Sequence, residues 1–387
     1  MITSTDLAYM AEAVQLAKRG QYTTTPNPNV GCVIVKNQQI IGKGWHKKAG
    51  TGHAEVNALA NLTKAASSGA TAYVTLEPCS HYGRTPPCAL RLVEAGVSRV
   101  VVGMLDTNPQ VSGNGIKILE EAGIEVEVGV LEAECRALNP GFFSIMERQR
   151  PFVQIKLAAS LDGKTALHNG ESKWITGPAA RADVQTYRAK ASAILTSAST
   201  VLQDDASMNV RQEQLNFNYP LDETNTNIRQ PHVVVLDGRA RLKPEVATSL
   251  KLFNTGAHVI LIQNKNSEYS EQAFSEKGFD QVTVEKLEYD PTSGFDLNDV
   301  MSVCTQLQFN TVWVEAGGRL AASFIHEKIA DELIVYIAPK IMGQGGFDVI
   351  PLGPFSEMNQ TVSLTTKDMR QVGEDIRLTY TLSNKND

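Results

Sequence analysis

Residues 71–96 read TAYVTLEPCSHYGRTPPCALRLVEAG. The opening six, rich in β-branched and apolar side chains and stopped by Pro78, predict a strand over 71–76. The run CALRLVEA follows Pro86 and Pro87 and ends at Gly96, which predicts a helix over 88–95 because proline fits the start of a helix and glycine its end. A strand joined to a helix in this way is one unit of an α/β layer. The alternation continues with a helix over 54–66, a strand over 98–103, a helix over 114–122 and a strand over 124–130. Upstream, Leu7, Met10, Val14 and Ala17 recur at helical spacing behind a Ser4 or Thr5 cap, and Gly20 closes the helix. VGCVIVKNQQIIGKGWH, residues 30–46, then predicts a β-hairpin turning over residues 36–39.

At 147–153, ERQRPFV interrupts the pattern with charge and a proline, and a new strand begins in FVQIKLAAS. Beyond it, HVVVLD (232–237), HVILIQ (258–263), TVWVEA (311–316) and LIVYIAP (333–339) read as strands, with helices near 178–190, 297–307 and 319–329. Residues 211–230 and 264–280 are polar and irregular and read as surface loops. A chain of 387 residues exceeds one ordinary core. Two α/β domains follow, 1–147 and 151–387.

The formal net charge of −6 argues against nucleic acid or an anionic membrane as the main partner, since both select basic surfaces. The N-terminus has no basic run followed by an apolar one, and no stretch approaches about 18 apolar residues, so a cytoplasmic protein acting on small molecules is expected. Five cysteines are too few and too scattered for a disulfide framework. Cys32, Cys135 and Cys304 have no partner pattern and read as buried residues.

Cys79 and Cys88 differ. One ends a strand and the other opens a helix, where the positive end of the macrodipole favours a thiolate. Upstream, GTGHAEVNAL places His53 and Glu55 in the first turn of a helix, where residues two apart can still face one site. His53, Cys79 and Cys88 make a three-ligand set for Zn2+, with the fourth tetrahedral position open, as in catalytic rather than structural sites. Glu55 is then the carboxylate that takes a proton from water at the open position and passes it to a leaving amine, which is hydrolytic deamination. A structural zinc, with His81 as fourth ligand, is the competing reading.

EPCSHYGRTPPC, with HAE, NPNVG and DTNPQVSGNG, closely resembles the N-terminal domain of the bifunctional riboflavin-biosynthesis deaminase/reductase family, in which the long cysteine spacing is the rule. The resemblance implies a cytidine-deaminase-like three-layer α/β/α fold and, as substrate, 2,5-diamino-6-ribosylamino-4(3H)-pyrimidinone 5′-phosphate. It also implies that Asn27 bonds the pyrimidine, with His46 and His81 nearby, and that Arg84 faces the phosphate, a contact suited to a guanidinium.

A deaminase has no use for the second half of the chain. There KLAASLDGKTALHNGESKWIT (156–176), LTSASTVLQDDASMNVR (195–211) and VWVEAGGRLAASFI (312–325) resemble the same family's reductase domain. The resemblance implies a dihydrofolate-reductase-like α/β fold that uses NADPH to reduce the ribosyl group of 5-amino-6-(5-phosphoribosylamino)uracil to ribityl. It puts Lys156, Ser172, Arg188, Met208, Arg211 and Glu315 against the substrate. Ala158, Trp174, Thr200, Asp204 and the run Gly317, Gly318, Arg319, Leu320, Ala321, Ala322, Ser323 would line the cofactor. EAGGRLAASF is itself a strand, a glycine turn and a helix start, where backbone N–H groups can meet a pyrophosphate. Lys156 and Asp204 are the candidate proton donors. A homo-oligomer, dimer or tetramer, is expected from the family. The alternative is a nucleoside or nucleic-acid zinc deaminase with a nucleotide-binding C-terminal domain.

Overall fold

The computed structural model describes residues 2–80, 86–108, 112–215 and 228–382. The chain divides into two compact units at the Gln149–Arg150 junction, with residues 228–229 grouped with the first.

The first unit is built from α1 (Ser4–Ala17), β1 (Gly31–Lys36), β2 (Gln39–Trp45), α2 (Ala54–Leu59), α3 (Lys64–Ser67), β3 (Thr71–Val74), α4 (Cys88–Ala95), β4 (Arg99–Val102), α5 (Asn114–Glu121), β5 (Glu125–Val128), α6 (Glu132–Arg136) and α7 (Pro140–Arg148). Its sheet runs β2-β1-β3-β4-β5. β1 is antiparallel to β2 and β3, whereas β3, β4 and β5 are parallel. Alternate residues of β1 enter opposite cores, Cys32 and Ile34 packing with Ala58 and Leu92, and Val33 and Val35 with Met10 and Phe143. A strand buried on both faces reads as a continuous apolar run and needs helices on each side, which makes this unit a three-layer α/β/α sandwich.

Several local expectations change. The N-cap of α1 is Thr3 rather than Ser4 or Thr5: its side chain accepts from the Asp6 amide while Asp6 accepts from the Thr3 amide, a reciprocal capping box. The helix expected over 54–66 is two, because α2 ends at Leu59 and Thr63 caps a new turn by accepting from the Ala66 amide. In the second half, residues 264–280 contain the short helix Glu271–Ser275 instead of loop alone.

The second unit comprises β6 (Phe152–Ser160), β7 (Lys164–Ala166), α8 (Pro178–Lys190), β8 (Ala193–Ser197), α9 (Ala198–Asp204), β9 (His232–Asp237), α10 (Pro244–Ala247), β10 (Val259–Asn264), α11 (Glu271–Ser275), β11 (Val282–Leu287), α12 (Leu297–Gln306), β12 (Thr311–Glu315), α13 (Gly318–His326), β13 (Glu332–Ala338), β14 (Phe347–Asp348), β15 (Leu364–Val372) and β16 (Asp375–Leu382). Nine strands order as β11-β10-β9-β8-β12-β6-β13-β16-β15, parallel from β11 to β13 and closed by the antiparallel hairpin β15–β16; β7 and β14 pair separately. Two apolar cores cover the two faces, one holding Phe324 and Met301, the other Phe253 and Phe274. The parallel strands put the ends of β9, β8, β12 and β6 along one edge, the side on which open α/β sheets place ligands.

Candidate active sites

In the first unit, His53 is the N-cap of α2, Cys88 is the first residue of α4, and Cys79 lies in the turn after β3. Gly44 is what lets α2 approach β2: a Cβ there would fall 2.3 Å from the Ala58 nitrogen and 2.4 Å from the Ala54 carbonyl. His53 Nδ1 lies 3.3 Å from Cys88 Sγ and 3.6 Å from Cys79 Sγ. All three donor atoms fall within 4.8 Å of one another. Tetrahedral zinc, with Zn–S of about 2.3 Å and Zn–N of about 2.0 Å, separates its ligands by roughly 3.5 Å, so one imidazole and two thiols at these distances fit it.

The electrostatics agree. The Cys88 thiol and the His53 ring donate toward Cys79 and, against burial, hold its thiol well below the usual range. The Cys88 amide also donates to Cys79 Sγ at 3.3 Å. Glu55, next to both sulfurs and 3% exposed, is pushed up to about 7 by burial and then by the charge on Cys79. A carboxyl near neutrality can both accept and return a proton.

His46 donates from Nδ1 to the Gly52 carbonyl at 3.1 Å, and its Nε2 meets Asn27 Nδ2 at 3.2 Å. At 3% exposed, with burial pushing its pKa down, it orients Asn27 and stands edge-on to His53 with centroids 5.4 Å apart. Asn27 and His46 therefore join His53, while His81 and Arg84 lie outside the described residues. Sequence reasoning passed over Glu77. Buried two residues before Cys79, its carboxylate accepts from the amides of Asp106, Gly113, Gly115 and Ile116. Its adjacency to Cys79 in the EPC run was the available signal.

In the second unit, Glu315 ends β12 in register with Lys156 of β6. Arg188 of α8 donates from Nε and Nη2 to the two oxygens of Glu315 at 2.5 and 2.9 Å, and from Nη1 to the Asn209 carbonyl at 2.8 Å. Burial raises the Glu315 carboxyl, yet Arg188 first and Lys156 after it bring it down to about 2. Lys156 is also shifted down: burial favours loss of its proton, against the attraction of Glu315. Met208 Sδ lies 3.9 Å from Arg188 Nη2, and the Arg211 amide donates to Gln185.

The residues expected along a cofactor spread over the same strand ends. Thr200 donates through its amide to Ser197 Oγ at the start of α9, and Lys173 Nζ donates to the Asp204 carbonyl. Trp174, 62% exposed, carries the Arg181 guanidinium 4.6 Å above its ring. Ser172 and Ala158 are half-buried, the latter within β6. Gly317 is the N-cap of α13, and a Cβ on it would meet nothing within 4 Å, whereas one on Gly318 would strike the Val349 carbonyl at 2.5 Å. The open face at Gly317 beside free helix amides suits a dinucleotide's phosphates.

One imidazole, two thiols and a buried carboxyl in an α/β/α sandwich, followed by an α/β unit with a glycine-opened strand end, define a zinc deaminase fused to a nucleotide-dependent reductase. Residues 3–104 match the cytidine and deoxycytidylate deaminase zinc-binding region, and residues 151–378 match the RibD C-terminal domain. The chain is 46% identical to riboflavin biosynthesis protein RibD of Haemophilus influenzae, covering 98% of each, and 43% identical to that of Escherichia coli, covering 96% of this chain and 98% of the relative. Acinetobacter baumannii RibD superposes with a TM-score of 0.86 at 42% identity, covering 98% of this chain and 99% of that one. A diaminohydroxyphosphoribosylaminopyrimidine deaminase/5-amino-6-(5-phosphoribosylamino)uracil reductase from Thermotoga maritima superposes with a TM-score of 0.83 at 32% identity, with the same coverage. The chain belongs to the RibD family of bifunctional riboflavin-biosynthesis enzymes, a zinc-dependent deaminase joined to a dihydrofolate-reductase-like, NADPH-using reductase. That membership decides against a nucleoside or nucleic-acid deaminase with an unrelated appendage.

Proposed function

We propose that residues 1–147 deaminate 2,5-diamino-6-ribosylamino-4(3H)-pyrimidinone 5′-phosphate and that residues 151–387 reduce the ribosyl group of the product to ribityl. The observation that carries the first half is the Glu55 carboxyl, buried against the three-donor cluster. His53, Cys79 and Cys88 hold the zinc, which when bound supplies a Lewis acid that activates water. Glu55 moves the proton from that water to the departing amine. Asn27, fixed by His46, bonds the pyrimidine, and His81 and Arg84 face the substrate and its phosphate.

In the second half NADPH supplies the hydride when bound. Arg188, Ser172, Met208, Arg211 and Glu315 hold the phosphorylated substrate, and Ala158, Trp174, Thr200, Asp204 and residues 317–323 line the dinucleotide. Lys156 is the better of the two candidate acids: it is buried beside Glu315, while Asp204 is 42% exposed and paired with Lys173 at 3.7 Å.

The enzyme is read as cytoplasmic, since its five cysteines are unpaired, as in a reducing compartment. Among the described residues no helix is long and apolar enough to cross a membrane. It is also read as a dimer or tetramer, supported by Leu364, Met369 and Ile376 exposed on the edge hairpin β15–β16.

The test supplies the pyrimidine phosphate to the purified zinc-loaded chain and follows ammonia, then NADPH absorbance. Ammonia release followed by NADPH oxidation that requires the deaminated product is expected. Ammonia release from a free nucleoside at the same efficiency, or NADPH oxidation without the product, defeats the reading.

A further inference from the structure

Asn27 stands in the irregular segment 21–30 ahead of β1, where no helix or strand ladder fixes the backbone. Individual bonds hold it instead. The Asn27 amide donates to the Thr24 carbonyl at 2.8 Å, and the His46 amide donates to the Val30 carbonyl at 2.9 Å. Between these two points Asn29 is held from both sides. Thr24 Oγ1 donates to Asn29 Oδ1 at 2.7 Å, and Asn29 Nδ2 donates to the Leu138 carbonyl at 3.1 Å.

The firmest of these attachments comes from Asn139. Its Oδ1 accepts from the Asn29 amide at 2.6 Å while its Nδ2 donates to the Asn29 carbonyl at 2.9 Å. One side-chain amide thus takes both backbone groups of a single residue, which fixes that residue's rotation as well as its place. Asn139 is 5% exposed, so water does not compete strongly for these bonds.

The use of Asn139 is unusual for where it stands. It is the N-cap of α7, followed by Pro140, and an N-cap asparagine ordinarily accepts from an amide in the first turn of its own helix. Here it makes no such bond, and α7 forgoes its side-chain cap. Both polar atoms go instead to a loop 110 residues earlier in the chain. That loop carries Asn27, whose side chain meets His46, the ring edge-on to His53. None of the Asn139 bonds involves His53, Cys79, Cys88 or Glu55.

We propose that Asn139 is a positioning residue for the deamination: by clamping the backbone of Asn29 it sets Asn27 against the pyrimidine, without touching substrate or metal. The proposal rests on the deaminase reading above.

The test measures KM and kcat for ammonia release from the pyrimidine phosphate on the full zinc-loaded chain, wild type, N139A and N139D, with zinc content and melting temperature alongside. N139A removes both bonds and is expected to raise KM by about 5- to 100-fold, with kcat within about threefold and one zinc per chain retained. N139D keeps the acceptor for the Asn29 amide but turns a second acceptor toward the Asn29 carbonyl, and should raise KM by about three- to tenfold. It decides the question alone if N139A does not fold. A merely structural role would lower the melting temperature and leave KM where it was. An unchanged KM in either folded variant therefore overturns the proposal, as does a loss of ammonia release that tracks loss of zinc. A wild-type chain that releases no ammonia from the pyrimidine phosphate removes the deaminase reading itself, and this proposal with it.

Discussion

Arg188 and Glu315 face each other side-on, Nε to Oε1 at 2.5 Å and Nη2 to Oε2 at 2.9 Å, with their side chains only 12% and 11% exposed. A fork-to-fork pair fixes both planes as well as neutralising charge. Removing one member strands the other, typically at about 3–5 kcal/mol for a buried pair. E315Q should therefore lower the unfolding free energy of the second unit by a few kcal/mol and reduce NADPH oxidation by the deaminated product more than tenfold, while ammonia release stays within about twofold. Calorimetric unfolding and the two assays run on one preparation check this. A loss of ammonia release equal to the loss of reduction would show that the pair has no role confined to the reductase.

Glu55 and its three neighbours allow a sharper separation. E55Q keeps shape and hydrogen bonding but cannot carry a proton, and general acid–base catalysis is worth about 10²- to 10⁴-fold. Ammonia release should fall by that factor, with one zinc per chain retained and the reductase rate unchanged. Zinc content by emission spectroscopy alongside the rates distinguishes this from loss of the metal.

The zinc set and most of the alternation from 54 to 130 were legible because each signal is local: a proline, a glycine, a β-branched run, a histidine and a cysteine at helix starts. Capping of α1 by Thr3 was less legible, since Thr3, Ser4 and Thr5 all qualify and only the Asp6 carboxylate returning to the Thr3 amide selects one. The hairpin β15–β16 went unread, as most of β15 is exposed and shows no alternation.

Metal removal should divide the activities. A chelator should abolish ammonia release and leave product-driven NADPH oxidation within about twofold, because His53, Cys79 and Cys88 all lie in the first unit. C88S, which replaces a soft thiolate ligand by a hydroxyl, should reproduce the deaminase loss with substoichiometric zinc. Loss of both activities on chelation would mean that zinc also supports the second unit.

Asp6 gives a pH prediction. Burial opposes its ionisation, but Arg99 Nη1 at 2.7 Å, the Thr3 amide at 2.9 Å and the Tyr73 hydroxyl at 2.8 Å together hold its carboxyl well below the usual carboxylate range. A depressed folded-state pKa contributes stability that is complete above the unfolded value, about 3.9, and is lost as pH falls toward the folded one. D6N should destabilise the first unit at pH 7 and show a shallower decline between about pH 5 and pH 3 than the wild type. Calorimetry at pH 3.5, 5 and 7 checks this; parallel declines would mean that Asp6 is not the group titrating.

Glu77 ties the zinc turn to the neighbouring helix start. Its Oε1 accepts from the Gly115 amide at 2.9 Å and its Oε2 from the Gly113 amide at 3.0 Å, and a Cβ on Gly115 would strike the Pro78 carbonyl at 2.0 Å. The backbone leading to Cys79 is thus clamped against the first turn of α5 by contacts that nothing larger than glycine permits. E77A leaves buried amides without an acceptor, at about 1–3 kcal/mol for each group that water cannot reach. It should lower the stability of the first unit and weaken zinc affinity by about 10- to 100-fold, the usual cost of losing an outer partner of a metal site. E77Q keeps one oxygen acceptor and should recover part of both losses. Competition with a chromophoric chelator measures the affinity, and E77A retaining wild-type zinc affinity despite lower stability would reduce Glu77 to a fold anchor.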